Sequence, residues 1–188
     1  MKKEIEVKLK ISRKEFDDLV KDKNDYQFER TYGFFTENYN NRNTGIFPRI
    51  KEVLKGGVRK ANITIKVKNN SNQNFFERDE FEFILNPITD ENIKTIRAMF
   101  AIFEYKICEI FEKKRHVLNS INNCEVVVDE LPFGFFSEIE GEEEAIEKTI
   151  RDLGLVNNER IAKAYLRVWD DYKIKNELDM TTECIFKS

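Results

Sequence analysis

The sequence has few of the residues that form cross-links or metal–sulfur sites. It contains three cysteines and one histidine in 188 residues, and Cys108, Cys124 and Cys184 form no CxxC pair and no Cys/His cluster. An odd number of widely spaced cysteines provides no disulfide framework. Free thiols are typical of the reducing cytoplasm. We therefore expect a cytoplasmic protein whose cysteines are small packing residues.

Long hydrophobic segments and an excess of positive charge are also missing. No segment approaches the ~20 apolar residues that a membrane helix needs, and the N-terminal residues do not form the apolar core of a signal peptide. Lys plus Arg number 32 against 35 Asp plus Glu, which gives a net charge of −3. These features argue against a membrane partner and against a general nucleic-acid-binding protein.

The composition that remains is that of one charged globular domain. Hydrophobic residues make up 40% of the chain and charged residues 36%. A chain of this length can form a substantial core without disulfides. We find no linker long enough to separate a second domain, so residues 1–188 are interpreted as one unit.

Eight segments have the pattern of β-strands, with helices inserted singly between them. Irregular insertion of helices favours a mainly antiparallel sheet, and eight strands are enough to close a barrel. The predicted fold is therefore α+β, with an eight-stranded antiparallel barrel. The predicted strands are 2–11, 26–39, 46–54, 61–68, 75–85, 105–118, 125–130 and 135–140. Helices are predicted over 12–23, from Thr89 or Asp90 onward, over 142–153 and over 158–169.

The predicted strands carry an unusual arrangement of charge. Successive side chains of a strand point to opposite faces, so Glu4, Glu6 and Lys8 share one face of the first strand. An ordinary half-solvated sheet also alternates, but it mixes cations and anions along each strand. Here most of the later pairs have one sign. They are Arg49/Lys51, Lys66/Lys68, Glu80/Glu82, Lys113/Arg115 and Glu138/Glu140.

If these faces line one cavity, their chemistry is that of phosphoryl transfer. Carboxylate oxygens are suitable ligands for Mg²⁺ or Mn²⁺. Clustered Arg and Lys suit a chain of phosphates. Phosphoryl transfer needs both, because cations must neutralise the charge on the transferring group.

The ordered motifs resemble those of the CYTH superfamily, the triphosphate tunnel metalloenzymes, which include class IV adenylyl cyclases, thiamine triphosphatases and inorganic triphosphatases. The resemblance covers about residues 1–168 and leaves 169–188 as a tail. It implies an eight-stranded tunnel with a polar, charged interior and helices outside. The matching motifs are Glu4-x-Glu6-x-Lys8, Arg49-x-Lys51, Thr64-x-Lys66, Arg78-x-Glu80-x-Glu82, Lys113-x-Arg115, Asp129-Glu130 and Phe136-x-Glu138-x-Glu140-Gly141.

The resemblance also implies roles for individual residues. The implied ligands of Mg²⁺ or Mn²⁺ are Glu4, Glu6, Asp129, Glu138 and Glu140. The implied triphosphate-binding residues are Lys8, Arg49, Lys51, Lys66, Lys113, Arg115 and Lys163. The candidate catalytic residues are Lys8, Glu80 and Glu82. One departure concerns Lys51, since the family usually has arginine there, and lysine lacks the planar fork of a guanidinium.

Several functions are compatible with these residues. The first is metal-dependent hydrolysis of a small-molecule triphosphate such as tripolyphosphate, ATP or thiamine triphosphate, with water activated by Lys8 or another tunnel lysine whose pKa like-charged neighbours lower. The second is cyclisation of ATP to cyclic AMP and pyrophosphate. A non-catalytic sensor of nucleotides or polyphosphate is the third. A structural barrel with exposed charged faces would be the fourth. The sequence allows a homodimer.

Overall fold

The computed structural model describes residues 2–21, 23, 25–36, 46–68, 76–86 and 88–187. The strands in this part of the chain are β1 Lys2–Ile11, β2 Gln27–Phe35, β3 Ile46–Lys55, β4 Val58–Lys68, β5 Phe76–Leu85, β6 Ile107–Val117, β7 Glu125–Leu131, β8 Gly134–Glu140 and β9 Arg160–Ile161. The helices are α1 Arg13–Val20, α2 Asp90–Ile102, α3 Glu143–Asp152 and α4 Tyr165–Lys175. The predicted turn at 40–45 lies outside the described residues.

Local sequence explains several element boundaries. Ser12 and Glu15 form the predicted capping box, in which each side chain bonds to the other's backbone N–H. Gly56 and Gly57 have φ angles of +55° and +78° and connect β3 to β4. Two positive φ angles in a two-residue loop match the right-handed twist of the flanking strands, and glycine adopts them without steric cost.

All strand pairings are antiparallel, and the sheet order is β5-β4-β3-β2-β6-β7-β8-β1-β9. β1 pairs with β8 on one side. On its other side, its first half pairs with β5 and its second half with β9. The α+β class and the antiparallel sheet are confirmed, but the described residues form a sheet of nine strands where eight were predicted. The closed eight-stranded barrel stays a prediction.

The additional strand corrects the prediction of a helix over 158–169. Arg160 and Ile161 pair with Leu9 and Lys8 of β1, and α4 begins at Tyr165. Asn158 donates a hydrogen bond to the backbone oxygen of Lys10 at 2.9 Å. The segment before α4 is therefore extended, because it satisfies its polar groups along β1.

The apolar faces of the strands pack against the helices and the C-terminal tail. Helices α1 and α3 cover β1, β7 and β8 with a core around Leu9, Val126 and Ile146. α4 packs through Trp169, and α2 covers the outer side of β3 and β4. The charged side chains lie on the other face of each strand, away from these helices. The charged faces of different strands lie close to one another there.

The tail after α4 is ordered against the sheet. Cys184 forms an isolated parallel bridge with Phe111 of β6, and Trp169 Nε1 donates to the backbone oxygen of Thr182 at 2.9 Å. Among the described residues, no helix has the length and hydrophobicity required to span a membrane.

Candidate active site

The charged faces of β1 to β6 and β8, together with Glu125 at the start of β7, line one cavity of about 560 Å³. This volume is within the range of small-molecule sites. Most of the predicted site residues meet there, both cations and carboxylates. The predicted residues that line the cavity are Glu6, Lys8, Arg49, Lys51, Lys66, Glu80, Glu82, Lys113, Arg115, Glu138 and Glu140.

Two predicted site residues, Asp129 and Lys163, are placed differently, and the side chain of a third is not described. The side chain of Glu4 lies outside the described part of the structure. Asp129 is completely buried and does not line the cavity. Lys163 lies outside the cavity, where its Nζ pairs with Asp171 Oδ2 at 2.6 Å and its side chain is 56% exposed. The phosphate-binding role predicted for Lys163 therefore has no support from its position.

The acidic wall is formed by neighbouring strands. Glu6 is directly opposite Glu140, and Lys8 is opposite Glu138. Lys8 Nζ bonds to Glu6 Oε1 and lies 3.2 Å from Glu138 Oε1. The lysine thus compensates carboxylates that would otherwise repel one another across the strands.

These carboxylates have the donor chemistry of a magnesium or manganese site. Hard oxygen ligands on adjacent strands fit such a cation. Within the described residues, however, no three acidic, histidine or cysteine side chains are gathered closely enough to hold a metal ion. Lys8 forms ion pairs with Glu6 and Glu138, so metal binding by Glu6, Glu138 and Glu140 would have to displace it.

Across the cavity, Glu80 connects two of the predicted phosphate-binding residues. Its Oε2 lies 2.8 Å from Lys66 Nζ, and its Oε1 lies 3.4 Å from Arg49 Nη2. Glu80 on β5 therefore acts as an internal counter-ion for β3 and β4. Its carboxylate therefore orients the side chains of Lys66 and Arg49.

Lys51 differs from the other lysines of the cavity. Burial, and after it the positive charge of Arg49, lower the pKa of Lys51 below its ordinary value. Among the described residues, no carboxylate lies within 4.0 Å of its Nζ. Lys8 is the first lysine for which the sequence predicts like-charged neighbours, but its Nζ contacts the carboxylates of Glu6 and Glu138. Lys51 has such neighbours in Arg49, Lys113 and Arg115, and Glu29 partly offsets their effect on its pKa.

Glu29 of β2 is a cavity residue that the sequence analysis did not identify. It is 2% exposed, and its Oε2 lies 3.3 Å from Lys113 Nζ. Burial alone would raise the pKa of Glu29, but the charges of Lys113, Arg115 and Lys51 lower it to about 2. The alternation Gln27-x-Glu29-x-Thr31 could have revealed it, although Glu29 has no acidic neighbour of the kind that marks β1, β5 and β8.

Tyr165, at the start of α4, is a second cavity residue that was missed. Its ring centroid lies 5.4 Å from Lys8 Nζ and 5.3 Å from Lys113 Nζ, within the range of cation–π contacts. Its hydroxyl donates a hydrogen bond to Asp129 Oδ2 at 2.9 Å. α4 thus contributes Tyr165 to the cavity, two residues after the predicted Lys163, together with the apolar Leu166.

Arg115 joins the cations to the acidic wall. Its Nε and Nη2 donate to the two oxygens of Asp129 at 2.7 and 2.6 Å, and Nη2 also bonds to Glu138 Oε2. Burial disfavours the charged guanidinium, yet Asp129 and Glu138 raise the pKa of Arg115 well above its ordinary value. Arg115 is therefore a permanent positive charge at a defined position in the cavity.

Comparisons with known proteins identify the fold. No family model matches the sequence, and a search of curated proteins found no match. Among solved structures, the PH1819 protein from Pyrococcus horikoshii OT3 has 17% identity and a TM-score of 0.68, over 90% of this chain and 99% of that one.

Two further structures are described by an activity. HpAC1 from Hippeastrum, a candidate adenylyl cyclase with a dominant triphosphatase activity, has 16% identity and a TM-score of 0.68, over 90% of this chain and 96% of its own. A candidate adenylate cyclase from Bacillus halodurans has 15% identity and a TM-score of 0.61, over 87% and 96%. The motif resemblance predicts a fold of this kind, and these similarities confirm that prediction at the level of fold. The chain shares its fold with these proteins.

Proposed function

We propose that this protein is an enzyme that hydrolyses a small-molecule triphosphate with the help of Mg²⁺ or Mn²⁺. The observation that carries this proposal is that one cavity contains both charge systems. Carboxylates of β1 and β8 face cations of β1, β3, β4 and β6 across about 560 Å³. The motif resemblance to the CYTH superfamily and the described triphosphatase activity of HpAC1 support the same reaction.

The ion pairs of the cavity suggest how a triphosphate binds. Glu80 neutralises Lys66 and Arg49, while Lys51 has like-charged neighbours. A bound phosphate chain would add negative charge beside Lys51, where the carboxylate of Glu29 is already shared with Lys113 and Arg115. The other cations would then share their hydrogen bonds between the carboxylates and the phosphate oxygens. Fixed cations stabilise the charge that develops when water attacks the terminal phosphoryl group.

The metal would be held by the acidic wall, with Glu6, Glu138 and Glu140 as the ligands whose side chains reach the cavity. When bound, a divalent cation neutralises charge on phosphate oxygens. Lys8 lies between this wall and Tyr165. We propose that Lys8 keeps the carboxylates together in the free protein and turns toward the phosphates when the metal replaces it.

We also propose that the eight long strands enclose a tunnel within a single domain. The pairing of β1 with both β8 and β5 supports this arrangement. The charged residues would then face the inside of the tunnel, and the four helices would lie outside it.

The alternative reaction is cyclisation of ATP, because candidate adenylate cyclases from Bacillus halodurans and Vibrio parahaemolyticus share the fold. The test is to incubate the protein with Mg²⁺ or Mn²⁺ and tripolyphosphate, ATP or thiamine triphosphate, and to identify the products. Release of orthophosphate is the expected result. Cyclic AMP with pyrophosphate would instead establish the cyclase. Tight binding without turnover would contradict both and indicate a sensor.

The position of Lys51 predicts a pH dependence of triphosphate binding. Only the protonated amine attracts phosphate, and the lowered pKa of Lys51 means that it loses its proton below the ordinary value of 10.5. Affinity for tripolyphosphate should therefore fall as the pH rises toward 10.5, and the fall should begin at a lower pH than it would for an ordinary lysine. In Lys51→Arg this fall should be much weaker, because a guanidinium stays charged.

Titration calorimetry in EDTA at several pH values measures this effect without metal. Calorimetry in buffers of different ionisation enthalpy should also show proton uptake when the wild-type protein binds tripolyphosphate at alkaline pH, and less uptake for Lys51→Arg. Identical pH profiles for the two proteins would show that Lys51 does not contact the phosphates.

A further inference from the structure

We propose that a groove beside α4 is a second ligand site, which binds a small planar organic phosphate of the nucleoside monophosphate kind. The groove has a volume of about 430 Å³, which is within the range of small-molecule sites. It lies between α4, β9, the end of β1 and the start of β8. The site is distinct from the cavity of the proposed reaction and does not depend on that reaction.

Two aromatic rings separate the groove from the cavity. Phe136 of β8 lines the groove, and Tyr165 lines the cavity. Both side chains are buried, and their ring centroids are 5.3 Å apart in an edge-to-face arrangement. The same division appears on β1, because Lys8 lines the cavity and Lys10, the next residue on that face, lines the groove. A ligand can therefore occupy the groove without entering the cavity.

One side of the groove is aromatic. Phe133 and Tyr172 both line it, and their ring centroids are 5.4 Å apart. Trp169 stacks on Tyr172 with a centroid distance of 5.3 Å and an interplanar angle of 15°, which holds the tyrosine ring in place. Phe133 and Tyr172 are only partly buried. Aromatic rings fixed in this way offer a surface on which a planar base can stack.

Two lysines of the groove have no acidic partner. Among the described residues, no carboxylate lies within 4.0 Å of the Nζ of Lys10 or of Lys175. The other two cations of the groove, Arg160 and Lys163, are each held in an ion pair. Glu159 also lines the groove and forms no ion pair within the described part of the chain. Two positive charges against one negative charge leave an excess that attracts an anion.

The rings and the lysines together match a nucleoside monophosphate better than either part of that molecule alone. The base would stack on Phe133 and Tyr172, and the phosphate would bind Lys10 and Lys175, since lysine binds phosphate as a point charge. Inorganic phosphate would use only the lysines, and a neutral nucleoside would use only the rings. Each of these should therefore bind at least about tenfold more weakly than the monophosphate.

The test measures the affinity for AMP by equilibrium dialysis in EDTA, with adenosine and orthophosphate as comparison ligands. AMP should bind the wild-type protein with a dissociation constant of about 1 mM or lower. A protein with both Lys10→Gln and Lys175→Gln should bind AMP about tenfold more weakly. The matched control carries Lys14→Gln and Lys148→Gln, which remove the same charge from exposed positions on α1 and α3. Its affinity should stay within about twofold of wild type.

Lys51→Gln shows whether AMP binds in the groove or in the cavity. Because Lys51 lines the cavity, this substitution should leave the affinity for AMP within about twofold of wild type. Weaker AMP binding in Lys51→Gln, with no loss in the Lys10 and Lys175 variant, would place AMP in the cavity and overturn the proposal. Equal losses in the groove variant and in its Lys14 and Lys148 control would indicate non-specific attraction and overturn it as well. The same holds if the wild-type protein binds orthophosphate as tightly as AMP, or shows no AMP binding up to about 10 mM.

Discussion

Glu138→Gln should lower triphosphate hydrolysis by about 10³-fold while the protein remains folded. Glu138 lies where the two charge systems meet, since its Oε1 is 3.2 Å from Lys8 Nζ and its Oε2 bonds to Arg115. Substitution by the amide removes a proposed metal ligand. It also removes the counter-ion that keeps Lys8 and Arg115 beside the acidic wall. Loss of one preorganised electrostatic group commonly costs 10²–10³ in rate, and the double role of Glu138 places it at the upper end.

The measurement is the initial rate of orthophosphate release from tripolyphosphate at saturating Mg²⁺ or Mn²⁺. Circular dichroism shows whether the variant is folded. Glu147→Gln is a matched control, because Glu147 forms a bidentate ion pair with Arg160 at 2.6 and 2.8 Å away from the cavity. Its rate should stay within about twofold of wild type, as expected for a partly exposed pair. Full activity of a folded Glu138→Gln variant would show that the acidic wall does not take part in the reaction.

Arg115→Lys should lower kcat/KM by about 100-fold, although the positive charge is retained. The Arg115 guanidinium contacts both oxygens of Asp129 and also Glu138. An ammonium group cannot make this set of planar, directed bonds. The lysine would also place its charge at a different point of the cavity. Misplacement of a catalytic group by about 1 Å costs on the order of 100-fold.

Arg160→Lys is the control for this substitution, because it changes another bidentate arginine that lies outside the cavity. Steady-state kinetics with tripolyphosphate should show wild-type kcat/KM for Arg160→Lys. Tripolyphosphate binding in EDTA separates a loss of affinity from a loss of rate. Unchanged kcat/KM for Arg115→Lys would mean that a point charge is sufficient, and that the fork of Arg115 has no role in the reaction.

Local patterns in the sequence predicted most strands of the sheet and the like-charged pairs that line the cavity. Alternation with a period of two identifies which residues of one strand share a face, because the pleat imposes that period on every strand. The pairs Glu80/Glu82 and Glu138/Glu140 were recognised in this way, and they line the cavity. The start of α1 was also predictable, since its capping box is formed by residues three apart.

The start of α4 could not be predicted in the same way. Residues 158–164 have a composition that a helix tolerates, but the chain pairs Arg160 and Ile161 with β1 instead. That choice depends on hydrogen bonds to a strand about 150 residues earlier. As a consequence, Tyr165 and not Lys163 reaches the cavity.

The sequence by itself determined that this chain forms an antiparallel α+β fold, because the order of its strands and helices favours one. It also determined that like charges share one face of each strand, because this follows from the period of two within single segments. Tertiary structure alone decided which charges meet. Glu29 contacts Lys113, Glu80 joins Lys66 to Arg49, and Asp129 lies with Arg115 instead of Glu140. These pairings depend on the register between strands and on the position at which α4 begins, and no single segment encodes either of them.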